Sequence, residues 1–217
     1  MGTTYQTVLV TGPLDNLRHA LTLLRREAYV APVAEGRWAV LPREDEHGYA
    51  DTDELARLLS LVPDCSAASF DVHDSDVLSV GLHHDGDKVH SYVSDRSYVV
   101  EWWDDDDNEC WIGLDGTVYP EDGPLPPPGP AGDDPASFAP LGVGDVDLVR
   151  LHAALRGDVS EHDSSRLRAE CQHHEILAAL NLDPGPATEA FRHFTPERFP
   201  AAVRVGPFAA EPAGSPP

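Results

Sequence analysis

Residues 72–92 read VHDSDVLSVGLHHDGDKVHSY, and their period of two decides the fold. Leu78, Val80 and Leu82 fall on one side of a strand that continues the alternation of Phe70 and Val72. His84-Asp85-Gly86-Asp87 then turns the chain, and Val89, Ser91 and Val93 return it. Asp-Gly supplies the positive-φ residues of a two-residue hairpin turn whose twist matches that of the flanking strands. A further strand from Ser97 to Trp103 is expected to join the same sheet.

Upstream, Thr4 to Val10 is rich in β-branched residues, Thr11-Gly12-Pro13 breaks it, and Leu14, Leu17, Leu21 and Leu24 recur at helical spacing. The helix is expected to run to about Ala28, followed by a strand from Tyr29 to Leu41 that Pro32 and Gly36 interrupt. A second helix starts at Asp51, whose side chain can cap it, with Glu54 completing a capping box. Leu55, Leu58, Leu59 and Val62 form its apolar stripe, and Pro63 ends it. The order β-α-β-α-β-β-β predicts an α+β fold: a mainly antiparallel sheet with helices on one face, plus a small C-terminal helical segment.

Residues 120–140 hold eight prolines in twenty-one positions, which forbids a continuous helix or central strand. The expected organisation is an α+β core over 1–119, a Pro-rich linker or strap over 120–140, a helical segment over 141–205 and a disordered tail over 206–217. Within the third part, Leu148, Leu151 and Leu155 mark a short helix. Ser165 to Leu180 marks a longer one, with Leu167, Cys171, His174 and Leu177 along its stripe. Phe191, Phe194, Phe199 and Val203 are expected to return the chain to the body as an extended segment.

The 217 residues carry a formal net charge of −23, from 15 Lys plus Arg against 38 Asp plus Glu. A nucleic-acid surface needs clustered cations, and here Lys88 and fourteen scattered Arg are all there is, so nucleic acid and anionic membranes are excluded as partners. No run of about 18 to 20 apolar residues exists, and Met1 to Val10 lacks the pattern of an export signal, so a cytoplasmic location is expected. Cys65, Cys110 and Cys171 are far apart and odd in number, which fits a reducing compartment and small buried side chains. Abundant Ala and Pro and the preference for Arg over Lys match GC-rich bacterial coding, which accounts for part of the composition.

The largest anomaly is Ser97 to Val149: fifty-three residues without a Lys or Arg, with thirteen Asp or Glu, including the run Asp104, Asp105, Asp106 and Asp107. A like-charge run is commonly just a solvated loop. Beside Trp102, Trp103, Trp111 and Tyr119, however, the run has the composition of an interface, in which aromatics supply buried area and charge steers a basic partner. A calcium loop from Asp104 to Asp115 fails at its sixth position, where Glu109 replaces the required Gly. A separate candidate is a metal site of His73, Asp74, Asp76 and His83, although Asp74-Ser75-Asp76 also suits a tight turn. His83 shares a side with Ser79, away from Val80 and Leu82, and is expected on the solvent or helix-free face, and Glu170-x-x-His173 is half of a carboxylate metal motif without its other half. P-loop, nucleophile-elbow, dinucleotide and zincin motifs are all missing, and no cofactor is implied.

The HDSDVL…DG hairpin within 72–92 resembles one found in uncharacterised bacterial cytosolic proteins, as does a later helix with His174-Glu175 before Leu-Ala-Ala-Leu and Leu182-Asp183-Pro184. Such chains resemble the small acidic immunity proteins of bacterial toxin systems, and that resemblance implies binding rather than catalysis. Three functions follow as expectations. The first is a non-enzymatic binder of a basic protein, of the immunity type. The others are a metal-binding protein or metal-dependent enzyme built on the His73 to His83 group, and a structural protein whose acidity only keeps it in solution.

Overall fold

The computed structural model describes residues 2–103, 108–158 and 168–206 and builds them into two antiparallel sheets with helices. The N-terminal half runs β1 (Tyr5–Thr11), α1 (Leu14–Leu23), β2 (Ala28–Ala34), β3 (Arg37–Pro42), α2 (Thr52–Leu59), β4 (Ser66–His73), β5 (Val77–His84) and β6 (Asp87–Val93). Then come β7 (Val99–Trp103), β8 (Glu109–Gly113), β9 (Val118–Pro120), α3 (Pro135–Phe138), α4 (Leu148–Arg156), α5 (Ala169–Ala179) and β10 (Val203–Val205). The main sheet has seven strands in the order β10-β2-β3-β1-β4-β5-β6, every described pair antiparallel.

The α+β class stands, and the C-terminal segment adds a second helical layer. Leu17 and Leu21 of α1 with Leu55 and Leu59 of α2 pack on Val8, Val10 and Val40 of one face. On the other face, Leu151, Leu155, Ile176 and Leu177 of α4 and α5 pack on Leu9, Phe70, Leu78 and Val80. Each fully buried Leu or Ile contributes at most about 1.5 to 3 kcal/mol of transfer free energy. The described residues of 141–205 thus close the core of this sheet.

Four expectations about the path of the chain need correcting. The strand from Tyr29 to Leu41 is a hairpin of two strands, because Gly36 (φ 63°) turns the chain back on itself. The first helix ends at Leu23, well before Ala28, since Arg25 takes a positive φ of 53° and Ala28 already pairs with Pro42. The strand after Ser97 leaves the main sheet and forms β7-β8-β9. Asp95 causes this departure: its Oδ1 accepts hydrogen bonds from Ser97 N, Ser97 Oγ and Gly129 N (2.8–3.0 Å), folding the chain away from the edge at Val93. The segment after Phe191 reaches the sheet through short 3-10 turns at Phe191–His193 and Pro196–Arg198, and only Val203–Val205 is strand.

In the vacated position lies the Pro-rich segment. Ala131 exchanges backbone hydrogen bonds with Val93 (2.9 and 3.0 Å), and Gly132 O accepts from His90 Nε2. Phe138 then enters the core edge-on to His90 and Tyr92.

The long C-terminal helix is phased differently from its expected stripe. Ala169, Gln172, His173, Ile176, Leu177 and Ala179 are its buried residues, while Cys171 and His174 face outward. Gln172 is held by its amide, which donates to Tyr92 Oη and to the carbonyls of Ala154 and Leu155 (2.9–3.0 Å). Cys171 is therefore exposed, unlike Cys65 and Cys110. Leu167 and the tail from residue 207 lie outside the described residues.

Candidate partner-binding surface

Residues paired across antiparallel strands project to the same side of a sheet. In β7-β8-β9 the pairs Val100–Ile112, Ile112–Val118, Trp102–Cys110 and Cys110–Pro120 therefore share one face, and that face is apolar throughout. The reverse face takes Glu101, Trp111 and Tyr119 in one row with Trp103 and Glu109 in the next. A solvated sheet normally turns apolar side chains toward a core and polar ones outward. Here Trp102 and Trp103 are each 55% exposed, as is Val118, while Cys110 is buried. Five of the eleven exposed large apolar residues among those described lie between Val100 and Leu125, so the exposure is a local patch and not the usual scatter.

A cavity of about 110 Å³ at this sheet is lined from both faces, by Trp102 and Cys110 of one and by Trp103, Trp111, Glu101 and Glu109 of the other, together with Glu121. Those three glutamates are functional candidates that a reading centred on Asp104 to Asp107 passes over, although Glu101 and Glu109 stand within two residues of a tryptophan in the sequence. Asp104, Asp105, Asp106 and Asp107 themselves, joining β7 to β8, lie outside the described residues.

The four residues of the metal alternative are not gathered at one point. Asp74 (φ 47°) and Ser75 (φ 64°) form a tight turn that holds the N-terminal strand: Asp74 Oδ1 accepts from Gly2 N and Ser75 Oγ from Thr3 N. His73 Nε2 lies 3.3 Å from Asp71 Oδ1. His83 sits elsewhere on the sheet, its side chain 1% exposed, with Nε2 3.0 Å from Asp53 Oδ1. It does lie on the side of Ser79, yet that side carries α2, so His83 is covered where a helix-free face was expected. Gly81 permits this approach, because a Cβ there would come within 2.4 Å of Asp53 Oδ1. Among the described residues, no group of three or more His, Cys, Asp or Glu is placed to hold a metal ion.

Asp53 is nevertheless a notable carboxylate. Its hydrogen bond with His83, reinforced by Lys88 Nζ at 2.8 Å, holds it well below the usual carboxylate range despite partial burial. Burial, with Asp71, Asp51 and Asp53 around it, pushes the Tyr49 hydroxyl up to about 12. Neither Asp53 nor Asp71 stands out in the sequence, since each reads as an ordinary helix-start or strand residue.

No protein-family model, curated protein or solved structure matches the chain. What fold and surface define together is an α+β protein with a two-layered helical covering and a separate acidic, tryptophan-bearing sheet. Among the described residues, no helix is long and apolar enough to cross a membrane.

Proposed function

We propose that this chain is a cytoplasmic, non-enzymatic protein that binds a basic protein partner through the β7-β8-β9 sheet, as an immunity-type inhibitor. The supporting observation is the set of exposed apolar side chains Val100, Trp102 and Val118 on one face of that sheet, within a fifty-three-residue stretch that has no Lys or Arg. Trp102 and Val118 supply apolar area that association would remove from water. Glu101, Glu109, Glu121 and the run Asp104 to Asp107 supply the charge that attracts Lys and Arg. Such steering raises association rates by roughly 10 to 1,000-fold at low salt. Inhibition is by occlusion: a toxin that acts on phosphates carries a cationic active site, and this surface covers it.

The test compares proteins retained from the cells of origin by the wild-type protein and by Trp102→Ser. The partner is expected to be basic, to be released by salt, and to bind the variant at least about 30-fold more weakly, the loss typical of a central aromatic anchor. Equal retention by both proteins, or a wild-type-specific partner that is acidic, refutes the reading.

A further inference from the structure

A second site lies on the main sheet, where α1 and α2 stop short of covering its face. Along β4 the residues on this side change from apolar to polar, Ala67 giving way to Ser69, Asp71 and His73, and Ser79 stands opposite Asp71 on β5. With Tyr49 on one wall and Asp115 of the β8-β9 turn on another, they line a cleft of about 400 Å³, within the range of small-molecule sites.

Two observations set this cleft apart from an ordinary polar surface. The first is hydrogen bonding. Seven buried side-chain atoms among the described residues have no hydrogen-bond partner, and four of them belong to this face: Gln6 Nε2 and Oε1, Asp71 Oδ1 and His83 Nδ1. Of these three residues Asp71 lines the cleft itself, while Gln6, 3% exposed, is its register partner on the adjacent strand β1. Asp71 Oδ1 lies near His73 Nε2 at 3.3 Å without hydrogen-bond alignment. Buried polar atoms are nearly always satisfied, and those left over concentrate at functional sites.

The second is charge. The single lysine of the cleft, Lys88, is committed to Asp53 at 2.8 Å. Among the described residues Asp71 and Asp115 make no ion pair with Lys or Arg, the nearest basic group to Asp71 being His73, and the Asp71 side chain is mostly buried, 13% exposed. An anion is therefore repelled, and a cation gains a partly desolvated carboxylate with hydroxyl groups of Tyr49 and Ser79 around it.

We propose that this cleft binds a small organic cation bearing a primary ammonium group, with Asp71 as the principal acceptor. An ammonium group has three donors and no acceptor, which matches a floor offering a carboxylate and hydroxyls. Its acceptors Asp71 and Ser79 belong to the main sheet, and Asp115 of the β8-β9 turn is its link to the tryptophan-bearing sheet.

Calorimetric titration of the full chain with spermidine and with glucosamine, at physiological salt, tests it, with uncharged N-acetylglucosamine as the control. Saturable one-to-one binding of at least one amine is expected, with none of the control. Asp71→Asn is expected to weaken it by about tenfold or more, as loss of a charged hydrogen-bond partner does. Should that variant fail to fold, Ser79→Ala at the same floor, expected to weaken binding severalfold, keeps the test decisive. The proposal is overturned if neither amine binds saturably or if every folded variant binds as tightly as wild type. It is also overturned if replacing Asp104 to Asp107 by Asn removes the binding while Asp71→Asn leaves it, since the acidic run would then be the site.

Discussion

Lowering the pH from 7 to about 4.5 is expected to destabilise this protein through one histidine. His173 of α5 is fully buried, stacked on Phe70 with centroids 4.3 Å apart, and its Nδ1 shares a 2.9 Å hydrogen bond with the Tyr5 hydroxyl. Desolvation, and secondarily the neighbouring His174, lower its pKa from 6.5 to about 3. The folded protein thus keeps this imidazole neutral, while the unfolded chain takes up a proton below about pH 6.5. Stability is complete above that value and falls as the pH drops through it, by on the order of 1 kcal/mol per pH unit, until the folded-state value near 3 is reached. Against a total of about 5 to 15 kcal/mol the loss is large. His173→Gln retains a hydrogen-bonding group for Tyr5 but cannot titrate. Its unfolding free energy, measured by urea denaturation at pH 7, 6 and 5, is expected to decline much less steeply than that of wild type. Parallel slopes for the two proteins would show that His173 is not the titrating group.

Phe138→Ala is the second large effect, a loss of about 3 to 5 kcal/mol, the usual cost of emptying a fully buried aromatic position. Phe138 is 0% exposed, with the rings of His90 and Tyr92 edge-on at 5.8 and 5.9 Å. It is the point at which the chain, having run along β6 at Ala131, enters the core beside α4 and α5. A lowering of the melting temperature by roughly 6 to 20 °C is expected for a chain of this size. If residues 120–140 were only a tether, the variant would melt within about 2 °C of wild type.

Local signals in the sequence are strong where a single residue type dictates geometry. Asp85-Gly86 forces the β5-β6 hairpin, with φ of 52° and 84°, and Asp51 caps α2 by accepting from Glu54 N at 3.0 Å. Non-local facts are not written that way. That Asp95 would bind Gly129, thirty-four residues on, and turn β7 out of the sheet depends on a loop closure that no periodicity records. In α5, hydropathy favours a stripe through Cys171 and Leu177. Burial instead selects Gln172 and His173, because each finds a hydrogen-bond partner across the core, in Tyr92 and Tyr5. The paired face of Val100, Trp102, Cys110, Ile112, Val118 and Pro120 has the same cause: no single strand here alternates cleanly, and only the register shows that these apolar residues coincide.

The most direct test of the proposed function is hydrogen–deuterium exchange of the purified protein with and without the partner recovered through Trp102. Slowed exchange is expected across Val99 to Pro120, with α1 and α2 unchanged. Slowing confined to α1, α2 or the C-terminal helices, with Val99 to Pro120 unaffected, would contradict a partner seated on the tryptophan-bearing sheet.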